Sequence, residues 1–123
     1  MTQMKLNHVN LTVSDVLGTR EFLAKYFGLT AMEGAPMNEK LGFMTDANGM
    51  VLSLMNLGQR DDVAYPGAFH IGFIQDSREK VDEMNQCMKD DGLHVQEPRE
   101  LHGSYTYYVR SPGGVLVEVQ SMI

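Results

Sequence analysis

The sequence predicts an α+β fold in which two tandem βαβββ modules form a curved, partly closed mixed sheet around a central cavity. Three observations predict it. A strand-then-helix opening occurs twice, three further strand-like segments follow each helix, and glycine-rich turns fall at matching places in the two halves. One helix covers only one face of a four-stranded sheet, so two such modules leave two bare faces that can enclose a cavity.

The first opening is Leu6-Asn7-His8-Val9-Asn10-Leu11-Thr12-Val13, an alternating strand pattern, followed by Ser14-Asp15 as a helix start. A helix is predicted over residues 16–27, with Gly28 as its stop. The second opening is Ala68-Phe69-His70-Ile71-Gly72-Phe73-Ile74, after which Asp76-Ser77 precede a helix over residues 78–91, with Val81, Met84 and Met88 on one face and Gly92 as its stop. Strands are expected near residues 29–33, 40–45 and 50–56 in the first half, and near 93–96, 105–110 and 115–120 in the second. Asp46-Ala47-Asn48-Gly49 and Ser111-Pro112-Gly113-Gly114 supply the turns before the last strand of each half. One domain over 1–123 is expected, with modules over about 4–57 and 67–122 joined through residues 58–67.

A 123-residue chain that is 43% hydrophobic and 21% charged has enough apolar surface for a core without disulfides. The apolar runs are of strand length and no basic-then-apolar leader opens the chain, so no membrane partner and a cytoplasmic location are expected. A net charge of -6 without a Lys/Arg cluster excludes a phosphate-backbone footprint, and with it nucleic acid. Cys87 is the single cysteine and is read as packing. The ten methionines, Met44, Met50 and Met55 among them, are read as core filler.

Side chains alternate along a strand, so parity sorts the candidates. Val9, Leu11 and Val13 form a core set, which leaves His8, Asn10 and Thr12 on the opposite face. Phe69, Ile71 and Phe73 do the same for His70, and Val115, Val117 and Val119 for Glu118. A carboxylate among three valines is not placed there by packing. Counted from the turn glycines Gly49 and Gly114, Ser53 occupies in the first half the position of Glu118 in the second. Two imidazoles and a carboxylate from three strands suit a divalent metal with open positions, and Fe, Mn, Co, Ni and Zn all accept such ligands.

Leu6-Asn7-His8-Val9, Phe69-His70-Ile71 and the run Tyr108-Val109-Arg110-Ser111-Pro112-Gly113-Gly114-Val115-Leu116-Val117-Glu118 together resemble the vicinal oxygen chelate superfamily. That group contains glyoxalase I, fosfomycin-resistance thiol transferases, extradiol dioxygenases and metal-free bleomycin-binding proteins. The likeness spans nearly the whole chain, implies the paired-module fold, and puts the family's metal ligands at His8, His70 and Glu118.

The departures sort the subfamilies. Glyoxalase I has a fourth ligand, Glu or Gln, where this chain has Ser53. Fosfomycin transferases carry basic residues for a phosphonate, and here the closing strands offer only Arg99 and Arg110. The intact triad speaks against a bleomycin-type binder. Extradiol dioxygenases have a Tyr ten residues before the ligand Glu, as Tyr108 stands before Glu118, although Ser111 and the spacing of His102 depart from their signature.

The resemblance therefore implies an extradiol-type ring-cleaving dioxygenase using Fe(II) on a chelating small-molecule substrate. A non-redox lyase, isomerase or thiol transferase using Mn, Co, Ni or Zn is the alternative, and a non-catalytic binding protein a third reading. Tyr108 is expected to hydrogen-bond a substrate oxygen and His102 to shuttle a proton, the plain alternatives being a packing aromatic and a solvated loop residue. Asn10, Ser53, Thr106 and Arg110 are expected to line the substrate pocket, His94 has no role, and a homodimer is the expected assembly.

Overall fold

The computed structural model describes residues 1–123, which divide into two compact units. The first comprises Met1–Ala64 together with Pro112–Gly114. It contains β1 (His8–Thr12), α1 (Val16–Phe27), β2 (Thr30–Ala31), β3 (Leu41–Thr45) and β4 (Val51–Met55). Its open four-stranded sheet has the order β1-β4-β3-β2, with β1 parallel to β4 and the other pairs antiparallel.

The second unit contains β5 (His70–Ile74), α2 (Arg78–Asp90), β6 (Arg99–Leu101), β7 (Ser104–Arg110) and β8 (Leu116–Met122). Its sheet has the order β5-β8-β7-β6, again with the first pair parallel. The repeat expected from the sequence is thus a repeat of topology.

Helix α1 starts where expected because the Asp15 carboxylate caps it, accepting from the Gly18 amide at 2.9 Å, and it ends with the Gly28 N–H on Ala24 O. Ser77 caps α2 in the same way, through Lys80 N at 3.3 Å. Leu11, Val13, Met44, Leu52 and Leu54 form the buried face of the first sheet. In the second, Tyr107, Val109, Val117 and Val119 are buried, and the Tyr107 hydroxyl meets Met88 Sδ from α2 at 3.5 Å.

Met44 is therefore core filler, whereas Met55 lies half-buried on the opposite sheet face and Met50 precedes β4. The turn Pro112–Gly114 belongs to the first unit because Gly113 lies against the start of α1. A Cβ there would stand 2.1 Å from Thr19 Oγ1 and 2.8 Å from Val13 Cβ, so only glycine fits.

Two expectations are corrected. The segment 93–96 is not a strand: Leu93 N still bonds Met88 O, Gln96 O accepts from Asn85, and Val95 makes a single bridge to Val109. The edge strand is instead β6, held to β7 by a two-residue hairpin at His102 and Gly103, whose φ values of 56° and 76° are those of a tight left-handed turn. The set Phe69, Ile71 and Phe73 is also less buried than expected. β5 is an edge strand and α2 packs on β7 and β8, so Ile71 and Phe73 are half-buried while Phe69 is exposed and stacks on Tyr65 at 5.2 Å.

Candidate metal centre

Strand register places the candidate residues in rows across each sheet. In the second unit the rows are His70, Leu116, Arg110; then Gly72, Glu118, Tyr108; then Ile74, Gln120, Thr106. All nine side-chain positions share one face, because Val117 and Val119 turn to the helix. His70 Nε2 lies 3.3 Å from Glu118 Oε1.

The outer atoms of that pair are both committed elsewhere. His70 Nδ1 is 2.9 Å from the Ala68 carbonyl, which can only accept, so Nδ1 carries a proton and Nε2 is the nitrogen turned to the carboxylate. Thr106 Oγ1 donates to Glu118 Oε2 at 2.6 Å. Glu118 is 7% exposed and Thr106 1%, so this hydroxyl bond is buried. At 3.3 Å apart the two inner atoms are close enough to share a proton, and close enough for both to reach one ion at metal–ligand distances of about 2.1 Å.

Gly72, opposite Glu118, leaves the space before the carboxylate open: a Cβ there would be 3.7 Å from Oε1. Tyr108 stands directly across from Glu118, and its ring meets the His70 imidazole edge to face at 5.5 Å. Burial, then the charge of Glu118 and a hydrogen bond to it, push the Tyr108 phenol above its ordinary range, with Arg99 pulling the other way. The phenol therefore keeps its proton at neutral pH and is a hydrogen-bond donor.

The first unit repeats these rows with different chemistry. They are His8, Val51, Thr45; then Asn10, Ser53, Phe43; then Thr12, Met55, Leu41. His8 occupies the position of His70, and Ser53 that of Glu118, as the turn count predicts. Ser53 is buried and donates to Asn10 Oδ1 at 2.8 Å, so its hydroxyl is already engaged. Phe43 and Leu41 stand where the second unit has Tyr108 and Thr106, so the carboxylate's partners are apolar here. His8 alone keeps the ligand character, with Nδ1 2.8 Å from Asn7 Oδ1.

The structure brings His70, Glu118, Tyr108 and Thr106 into one cluster, with Arg110 exposed one row away on the same face. Asn10 and Ser53 pair with each other in the first unit, where His8 is exposed. Within either unit no three His, Cys, Asp or Glu side chains converge. His102 lies exposed at the β6–β7 hairpin tip, six residues along the chain from Tyr108, or roughly 20 Å at strand spacing. The structure does not bring it to the pair.

Residues 5–119 match the family model described as the glyoxalase/bleomycin resistance protein/dioxygenase superfamily. The chain belongs to that superfamily. A possible glyoxalase from Bacillus cereus is 45% identical, covering 96% of this chain and 99% of its own, with a TM-score of 0.86. Lactoylglutathione lyase from Agrobacterium tumefaciens (24% identity, 98% and 96% coverage, TM-score 0.76) shares the superfamily fold. So does the fosfomycin resistance protein FosX from Listeria monocytogenes (23% identity, 99% and 96% coverage, TM-score 0.78). A search of curated protein sequences gives no match. The superfamily holds enzymes of unlike chemistry on one scaffold, so the reaction has to be argued from the side chains.

Within this superfamily scaffold, sequence reasoning missed the two groups that orient the imidazoles. The Ala68 carbonyl is backbone and leaves no trace in residue type. Asn7 is one residue from His8, and strand parity assigns neighbours to opposite faces. Asn7 precedes β1, and outside the regular strand its side chain reaches the ring of the next residue.

Proposed function

We propose that this superfamily member is a metal-dependent enzyme acting on a small substrate that chelates through two neighbouring oxygens, with His8, His70 and Glu118 as ligands. The observation that carries the proposal is the His70–Glu118 pair, whose outer atoms are tied off and whose inner atoms face each other at 3.3 Å. His8 supplies the third ligand from the equivalent register position, from the same chain or from the partner in a homodimer. A bound divalent ion would supply Lewis-acid polarisation of the substrate oxygens and, as Fe(II), the capacity to react with dioxygen.

The chain's own groups bind and orient. Tyr108, protonated and across from Glu118, donates to a substrate oxygen; Gly72 leaves room for that oxygen; Arg110 attracts negative charge one row away. Asn10, its amide held by Ser53, lines the His8 side. Ring cleavage by an Fe(II) extradiol-type reaction is the finer reading: Tyr108 beside Glu118 supports it, and Ser53, a weak ligand type whose hydroxyl donates to Asn10, supports a three-ligand site with open positions. The non-redox lyase, isomerase or thiol-transferase reading rests on the 45% identity to a possible glyoxalase.

Protein purified without oxygen and reconstituted separately with Fe(II), Mn(II), Co(II), Ni(II) and Zn(II) tests both. Oxygen uptake on adding catechols to the Fe(II) form alone supports ring cleavage. Turnover of a hemithioacetal or epoxide by the Mn, Co, Ni or Zn forms supports the non-redox reading, and no metal bound by any preparation refutes the proposal. Mixing His8→Ala with Glu118→Ala chains tests whether the site is shared between the chains of a homodimer, because restored metal binding requires ligands from two chains.

A further inference from the structure

Resting on that reading, we infer that Asn7 is a positioning residue that fixes His8 in the tautomer a metal requires. Both imidazoles have an oxygen at Nδ1: Asn7 Oδ1 at 2.8 Å for His8 and the Ala68 carbonyl at 2.9 Å for His70. Oxygen of either kind only accepts, so in the neutral form of each ring the proton sits on Nδ1 and Nε2 is left as a lone pair. A free histidine side chain in water favours the opposite tautomer, with the proton on Nε2, in which that nitrogen cannot ligate. Fixing the proton on Nδ1 removes the cost of exchanging it when the ion binds.

The backbone makes Asn7 fit for this. Its carbonyl accepts from Val51 N at 2.9 Å, which pins the residue to the end of β4 while its side chain remains free to turn to the ring. The two units solve the same problem differently: the second uses a main-chain carbonyl, which no substitution removes, and the first a side chain. His8 is exposed, and Asn7 Oδ1 is the protein group at its Nδ1, so the tautomer there turns on how well that bond competes with water.

The experiment is long-range 1H–15N correlation NMR of the metal-free full chain at a pH where the imidazoles are neutral, combined with calorimetric titration of Zn(II). Wild type is expected to show the His8 proton on Nδ1, Asn7→Ala to move it to Nε2 and to weaken zinc about 10–100-fold, and Asn7→Asp, which can only accept, to restore both. An unchanged circular dichroism spectrum shows that each variant folds. His8 with its proton on Nε2 in the wild type, or Asn7→Ala with unchanged tautomer and zinc affinity while His8→Ala weakens binding, overturns the inference and leaves the metal site standing. Full zinc affinity in His8→Ala instead overturns the ligand assignment, and the inference with it.

Discussion

Replacing Thr106 with valine removes one hydroxyl and keeps the shape. That hydroxyl donates to Glu118 Oε2 at 2.6 Å in a place where Thr106 and Glu118 are both buried, so the carboxylate has little water to replace it. A hydrogen bond to a charged group is worth about 1.5–3 kcal/mol, which for a chain of this size corresponds to a fall in Tm of roughly 5–12 °C. Thr106 Oγ1 also lies 3.2 Å from the Val119 carbonyl, but with one proton to give it serves the nearer, charged acceptor.

Urea denaturation of wild type, Thr106→Val, Glu118→Leu and the double variant gives the coupling energy directly. The expected coupling is at least about 1 kcal/mol, with Thr106→Ser close to wild type. A coupling below about 0.3 kcal/mol would refute the claim that Thr106 holds the carboxylate.

Gly113→Ala should destabilise the fold by about 1–3 kcal/mol or more, since its Cβ would enter the space of Thr19 Oγ1 and Val13; an unchanged denaturation midpoint would show that the turn moves away freely. Ser121→Ala should leave stability unchanged or raise it by about 1 kcal/mol, because the Ser121 hydroxyl is buried without a hydrogen-bond partner, and a clear loss in thermal unfolding would contradict this. The Tyr105 phenol donates to Asp82 Oδ1 at 2.6 Å, and that bond, with burial and the Asp82 charge, raises its pKa. Its contribution to stability is therefore full below the unfolded value of about 10 and is lost as pH rises through the higher folded value. In an absorbance titration at alkaline pH, Asp82→Asn should make one tyrosine ionise earlier, and an unchanged curve would contradict the assignment.

Strand parity was enough to pair His8 with His70, and the count from the turn glycines Gly49 and Gly114 to pair Ser53 with Glu118; the observed registers repeat both equivalences, although β5, as an edge strand, buries its apolar set only in part. Helix bounds were legible through Asp15, Ser77 and Gly28, which act locally. The edge strand β6 was not. Residues 93–96 look strand-like, but that pairing depends on a hairpin whose first turn residue is His102, a residue type that seldom adopts positive φ. The hairpin then carries His102 away from the cluster it was expected to join. The orienting partners of the imidazoles were hidden for the reasons of backbone and parity given above, and Gly72 reads in sequence as a weak strand residue although its missing side chain opens the face of Glu118.

The central claim is that His8, His70 and Glu118 hold one divalent ion. Calorimetric titration of the metal-free protein with Zn(II), run on wild type and on His8→Ala, His70→Ala and Glu118→Ala, tests it most directly. One ion bound per chain in the wild type, with affinity lost in each of the three variants, is the predicted result. Wild-type zinc affinity in any one of them would contradict it.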